Sequence, residues 1–413
     1  MPSSVAMQIR LGGIEPRDAR RFLEVTEAAF GAGLPDDVFE DIRHTFETDR
    51  ALAAFDGRSM VGTTAAYSLR LTVPGGEVDC AGVTMDGVVP SLRRRGVMKA
   101  LMTRQLRDVA ERGEPLAALW ASEDPIYGRF GYGAATVQAL IDVPRHRAAF
   151  LDDSPVDGTL RLVDKDEAVR VFPAVYDRVR AETPGMFRRS DLWWRHRVLR
   201  DQTRDEEGGP FFRALLEQDG EPAAYAVYKV HQRWDRGVSR GNVELREVIA
   251  ATPRATRAVW KFVFGIDLVE SVRSTAFFLP YDHPLQLMLA EPRYLGFLLS
   301  NGLWVRVVDV AEALAARSYA GDGSISLEIG DPLLDRNSGT WRLDVDGGRA
   351  SVSKTSGDGD VTLGIGELGA LYLGQFTFSQ MLAAGRVSGT REAVARADDL
   401  WRTRVAPWCP EIF

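Results

Sequence analysis

Residues 83–102 read VTMDGVVPSLRRRGVMKALM, a strand that runs through a short arginine-rich turn into a helix. Met98, Met102, Leu106 and Val109 recur along one face of that helix, and Gly113 is its expected stop. The first main-chain N–H groups of a helix lack intrahelical partners, and its dipole presents a positive end there. Gly96 would let a ligand approach the main chain closely, and Arg93, Arg94 and Arg95 add charge. Basic residues at a helix N-terminus are unfavourable by about 0.3–1 kcal/mol each. Three in succession point to a bound anion, such as a diphosphate, over a surface helix that merely begins with arginines.

Working outward, RDARRFLEVTEAAFGA (17–32) reads as a helix. ALAAFDG (51–57), MVGTTAAYSLRLTV (60–73) and EVDCAGVTMDGVV (77–89) read as strands, the first two joined at an Asp-Gly turn. PLAALWAS (115–122) is an apolar strand, followed by the glycine-rich aromatic stretch IYGRFGYGAA (126–135). A composition break around 145–158 separates this segment from one with the same order in weaker form. There a helix (167–182) precedes FFRALLEQDGEPAAYAVYKV (211–230), GNVELREVIAATP (241–253) and the helix RATRAVWKFVFGI (254–266). Strand, Asp-Gly turn, strand, loop, strand, proline and helix recur, which predicts an internal duplication. The junction before the helix has changed from RRRG to PRAT. In the third segment, SISLEIG, TWRLDVDG, ASVSKT and VTLGIG alternate as an antiparallel sheet with one buried face, and two helices follow around 367–376 and 390–404. The expected domains are 1–148, 149–300 and 301–413, in a mixed α/β and α+β architecture.

A length of 413 residues exceeds one ordinary core. The net charge of −7 argues against nucleic acid or an anionic membrane as partner and suits a cationic substrate. Cys80 and Cys409 alone give no disulfide framework, which suits a reducing compartment. The start, MPSSVAMQIR, lacks the basic and apolar regions of a secretory leader, and no apolar run reaches about 18 residues. A cytoplasmic protein without membrane insertion is expected.

Some motifs are set aside. GIGELG places Gly364, Gly366 and Gly369 in a dinucleotide-like pattern, but position 389, where an acid would be needed, is glycine. It reads as a strand-to-helix turn. The five histidines have no metal-ligand spacing, so no metal is expected. Trp193 and Trp194, in LWWRHR, read as core plus a solvated helix face.

The arginine-rich turn resembles the pyrophosphate loop of the GNAT N-acetyltransferases, with Arg93 and Gly96 at motif positions and Met98 where a small residue is usual. With ASEDPIYGRFGYG (121–133), GLWVRVVDVAEALAARSYA (302–320), LGALYLGQF (368–376) and the terminal Phe413, nearly the whole chain resembles the Eis (enhanced intracellular survival) family. The resemblance implies tandem GNAT domains, the second degenerate, and a sterol-carrier-like C-terminal domain. It implies acetyl-CoA as co-substrate, an amine acceptor and a homohexamer.

Residue by residue, the resemblance makes Tyr127 the acid that protonates the departing CoA thiolate, and the α-carboxylate of Phe413 the base for the amine. Asp86, Gly87 and Val88 would hold the acetyl and pantetheine end through their main chain. Arg94, Arg95, Gly96, Val97, Met98 and Lys99 would hold the pyrophosphate, with Ser122 and Glu123 beside the pantetheine arm. Met85, Trp193 and Glu411 would contribute to the acceptor side. Ala32 stands where aminoglycoside-acetylating members carry an acid.

The chemistry asks for such groups independently. An alkylammonium with a pKa of roughly 10 must lose a proton before it attacks a thioester. A thiolate leaving group gains from a positioned acid. From the residues alone, Tyr127 reads first as part of an aromatic cluster with Phe130 and Tyr132, and APWCPEIF (406–413) as a packing strap. The leading expectation is an N-acetyltransferase for cationic amines of aminoglycoside or polyamine type. A protein-lysine acetyltransferase and a non-catalytic acyl-CoA or lipid binder are the alternatives.

Overall fold

The computed structural model describes residues 9–201, 209–274 and 279–413. The first eight residues, on which the expectation of no leader rests, lie outside them. The chain forms two compact units, both discontinuous. One comprises residues 1–135, 303–403 and Phe413; the other comprises 136–302 and 404–412.

The first unit is built on a seven-stranded sheet in the order β1-β2-β3-β4-β5-β18-β6. Its strands are β1 (Ile9–Gly13), β2 (Leu52–Asp56), β3 (Ser59–Val73), β4 (Gly76–Val88), β5 (Leu116–Trp120), β6 (Gly133–Ala134) and β18 (Leu303–Val307). Helices α1 (Ala19–Ala29) and α2 (Asp36–Arg43) pack Phe22, Leu23, Val38 and Ile42 against Ala53 and Ala65. Helix α3 (Val97–Glu111) buries Met102, Leu106 and Val109 against Ala66, Val83 and Ala117. The methionine-leucine-valine stripe thus faces a sheet, as its helical spacing requires. Only β4 and β5 run parallel, because α3 carries the chain back between them.

Strand β18, at the start of the segment 301–413, lies between β5 and β6, pairing Leu303 with Trp120 and Trp304 with Ala134. The rest of the C-terminal segment forms a second sheet in the order β21-β20-β19-β22-β23. These are β19 (Gly323–Gly330), β20 (Gly339–Asp346), β21 (Arg349–Thr355), β22 (Val361–Gly364) and β23 (Val387–Gly389). The antiparallel expectation fails at one pair: β22 runs parallel to β19. The crossing segment 356–360 allows this, since a Cβ on Gly359 would lie 2.5 Å from the Glu328 nitrogen. Helices α9 (Val310–Ala316), α10 (Ile365–Tyr372), α11 (Phe378–Ala383) and α12 (Arg391–Trp401) complete the module. GIGELG, expected as a turn, instead has Gly364 ending β22 and residues 365–369 already in α10, where the glycines serve packing. A Cβ on Gly369 would lie 2.2 Å from the Val305 carbonyl oxygen. The fully buried pair Arg306–Asp331, joined by two hydrogen bonds, adds a polar anchor.

The second unit repeats the order of the first. Its sheet is β8-β15-β14-β11-β10-β9. The strands are β8 (Asp142–Pro144), β9 (Thr159–Leu162), β10 (Phe212–Gln218), β11 (Glu221–His231), β14 (Asn242–Ala250) and β15 (Ser271–Ser274). Helix α7 (Pro253–Gly265) links β14 to a parallel β15, as α3 links β4 to β5. The duplication therefore extends to topology. Helix α5 (Lys165–Arg180) stacks Phe172 on Tyr225 of β11, with ring centroids 4.2 Å apart. A short sheet of β7 (Val137–Leu140), β16 (Leu279–Pro280) and β17 (Leu298–Asn301) and a hairpin, β12 (Trp234–Asp235) with β13 (Val238–Ser239), complete its strands, and α6 (Asp191–Trp193) and α8 (Leu285–Met288) are short helices.

Candidate active site

Strands β4 and β5 pair only at Cys80–Leu116, Ala81–Ala117 and Gly82–Ala118. Both continue beyond this, to Val88 and Trp120, so they part after Gly82. A β-bulge accompanies the parting. Thr63 pairs with Gly87 and Ala65 with Thr84, so Met85 and Asp86 together oppose Thr64. Met85 takes a left-handed φ of 58°. The bulge is stitched from β3: Thr63 Oγ1 donates to the Met85 carbonyl at 2.9 Å, and Thr64 Oγ1 donates to Asp86 Oδ1. Beyond Gly82, the β5-facing main chain of β4 has no strand partner among the described residues. Its N–H and C=O groups are available to an extended ligand with amides of its own.

Tyr127 ends the short helix α4 (Asp124–Tyr127) that follows β5. Its ring is buried among Ala66, Val83 and Met102, and its hydroxyl lies 3.5 Å from Ser122 Oγ. Burial first, then the charge of Asp86, raises its pKa well above that of a free phenol, while the Ser122 hydrogen bond acts the other way. A tyrosine so placed keeps its proton until a strong base arrives. The hydroxyl of Tyr132, set edge-on to Tyr127, is buried without a hydrogen-bond partner among the described residues.

The turn before α3 leaves the helix start open. Gly96 adopts φ 83°, a Cβ there would meet nothing within 4 Å, and no side chain caps the helix. Arg94, Arg95 and Lys99 are exposed, and neither Arg94 nor Arg95 has an ion pair or hydrogen bond to a described residue. Arg93 differs: its guanidinium donates to the carbonyls of Ala29 and Val88 and so ties α1 to the end of β4. In the second unit the start of the equivalent helix is capped by the chain's own residues. Thr252 caps α7 by accepting from Ala255 N at 3.1 Å, and Pro253 occupies its first position.

Phe413 lies in the first unit. Its ring meets Tyr67 edge-on, with centroids 6.5 Å apart, and it rests over Gly82, where the two strands begin to part. Met85 packs its side chain toward the α1 cluster, and Ser122 and Glu123 are exposed. Trp193 and Glu411 belong to the second unit, where each engages the other. Glu411 accepts from Trp193 Nε1 at 2.9 Å, from Tyr176 Oη at 3.3 Å and from Arg189. Arg189 also pairs with Glu247 and lies 3.8 Å over the Tyr176 ring. Burial opposes its charge, but Glu247 and Glu411 outweigh it and hold the guanidinium protonated. The same tail is fixed at Trp408, whose N–H donates to Pro184 at 2.8 Å against Gly185.

Residues 11–135 and 185–307 each match an acetyltransferase (GNAT) domain, and residues 310–410 match a sterol carrier protein domain. The chain is 36% identical over 353 residues to N-acetyltransferase Eis of Mycobacterium tuberculosis, covering 82% of this chain and 83% of that protein. It belongs to the Eis family of GNAT N-acetyltransferases. An uncharacterised N-acetyltransferase of Streptomyces avermitilis is 38% identical over 89% of this chain and 90% of its own. The crystal structure of Eis1 from Mycobacterium abscessus superposes with a TM-score of 0.83 at 32% identity, covering 98% of this chain and 100% of that one.

As an Eis-family enzyme the protein transfers an acetyl group, and GNAT enzymes draw it from acetyl-CoA. The residues present fit that donor: an uncapped helix start with two exposed arginines, strand edges open beyond Gly82 and an orphaned hydroxyl at Tyr132. Sequence reasoning took Asp86 for its main chain alone and missed its buried side chain. The extra residue that turns it inward shows only once β3 and β4 are paired. It also missed Arg189 and Glu247, which are remote from Glu411 in sequence.

Proposed function

We propose that this protein acetylates primary amines of cationic small molecules, with Tyr127 as the acid and the Phe413 α-carboxylate as the base. The observation that carries the reading is the parting of β4 and β5 after Gly82, with Tyr127 buried beside it and Phe413 over its start. The main chain of Asp86–Val88 binds the acetyl and pantetheine end. Arg94, Arg95, Lys99 and the first N–H groups of α3 bind the diphosphate. The amine gives a proton to the Phe413 carboxylate, directly or through water, and its nitrogen attacks the thioester carbon. As the C–S bond breaks, the Tyr127 hydroxyl protonates the sulfur. The net acid surplus of the chain favours a cationic acceptor. Residues 1–148, 149–300 and 301–413 are the functional segments of this reading, which places the enzyme in the cytoplasm as a homohexamer.

Release of free thiol from acetyl-CoA against polyamines, aminoglycosides and lysine peptides tests this. Turnover with small cationic amines and its loss in Tyr127→Phe with CoA affinity retained are expected. Absence of CoA binding by calorimetry would overturn it.

A further inference from the structure

Where α3 covers the β3–β4 ribbon from Gly62 to Ala66, that face is apolar except at Thr64 and Asp86. Gly62 faces Val97 and Leu101, Ala66 and Val83 face Met102 and Leu106, and Val88 packs on Val97. Into this row the bulge turns the carboxyl of Asp86, which is buried and takes a hydrogen bond from Thr64. A buried carboxylate is costly unless paired with a cation, and no charged side chain among the described residues offsets its burial. Thr64 could stitch the bulge to a neutral side chain equally well, so packing gives no reason for an acid here.

The groups that share this space are few. The segment after β5 brings Tyr127 and Tyr132, both of which feel the charge of Asp86. Cys80 of β4 and Arg306 of β18 act on Tyr132, and Glu123 acts on Tyr127. The inward face of α3 presents Val97, Leu101, Met102 and Gln105, none of which titrates. β3 presents Thr64 and Ala66, and β5 has no titratable side chain.

Taking Tyr127 as the acid proposed above, we infer that Asp86 is a positioning residue that acts through it. While the carboxyl is neutral, Tyr127 gives its proton to the leaving sulfur more readily. Once the carboxylate forms, its charge holds the phenol proton back. Burial pushes the Asp86 carboxyl up to about 7, against the hydrogen bond from Thr64, so the change falls near neutrality.

The test is the pH profile of kcat across neutrality, with acetyl-CoA and an amine both saturating. Wild-type kcat is expected to fall by up to about tenfold as pH rises through the Asp86 titration, the factor for one pKa unit at Tyr127. Asp86→Asn should lack that descending limb. Thr64→Val, which removes the donor, should move it to higher pH. A limb that survives in Asp86→Asn would overturn the inference. Should that variant not fold, a limb unmoved in Thr64→Val would overturn it as well. So would a limb that follows CoA affinity, measured by calorimetry at each pH, and not kcat. Tyr127→Phe separates the two readings: full turnover there refutes the acid itself, whereas its loss beside an unmoved limb refutes only the role of Asp86.

Discussion

The Phe413 ring lies over Gly82, where a single added methyl carbon would come within 3.3 Å of its Cε2 atom. Gly82 is also the last β4 residue paired with β5. A missing side chain thereby seats Phe413 where the two strands begin to part. The same methyl would come within 2.4 Å of Leu69 Cδ1, so Leu69 and Phe413 must both shift in Gly82→Ala. The expected loss of stability is about 1–3 kcal/mol. A displaced terminus should lower kcat roughly tenfold to a hundredfold. Steady-state kinetics beside calorimetric CoA affinity checks this, and affinity is expected to hold. Extending the chain past Phe413 should lower kcat in the same way without the loss of stability.

The arginines of the turn separate by role. Arg94→Ala and Arg95→Ala should each weaken CoA binding by about 1.5–3 kcal/mol, the worth of a charge-assisted hydrogen bond. Added salt should narrow the difference from wild type. Arg93→Ala should lower the melting temperature, because Arg93 holds Ala29 and Val88 together. Isothermal calorimetry and thermal melts on the three variants distinguish these outcomes.

Asp86 has a consequence for stability as well. Its carboxyl titrates near 3.8 when unfolded and is pushed up to about 7 when folded. Below 3.8 both states hold the proton, and the group favours neither. As pH rises from 3.8 toward about 7 the unfolded state ionises first, so the penalty grows and is complete above about 7. The full span corresponds to about 4 kcal/mol. Asp86→Asn should therefore gain stability over wild type with rising pH and gain little in acid. Denaturant melts at acid and alkaline pH check the sign.

Glu411 anchors the tail within the second unit. Glu411→Ala leaves Arg189 with Glu247 alone and deprives Trp193 Nε1 of its acceptor. Removing one partner of a buried ion pair should cost about 3–5 kcal/mol. Glu411→Gln should cost less, since it keeps an acceptor for Trp193. Thermal melts rank the two.

The sequence by itself determined whatever depends on near neighbours. The helical stripe through Met98 and Val109, the Asp-Gly turns, the repeated order of elements, the glycine and arginines before Val97 and the dismissal of GIGELG are all readable within short windows. Family resemblance added Tyr127 and Phe413 as functional candidates. Tertiary structure alone decided what depends on pairing across distance. β18 entered the sheet of a segment nearly two hundred residues away because β5 had an open edge there. Arg93 became a structural tie because its guanidinium reaches the Ala29 carbonyl. Trp193 and Glu411 became partners because the folded tail brings the Glu411 carboxylate to Trp193 Nε1 across 218 residues of sequence. Asp86 turned inward because the β3–β4 register holds one residue against two, and a register exists only once both strands are paired.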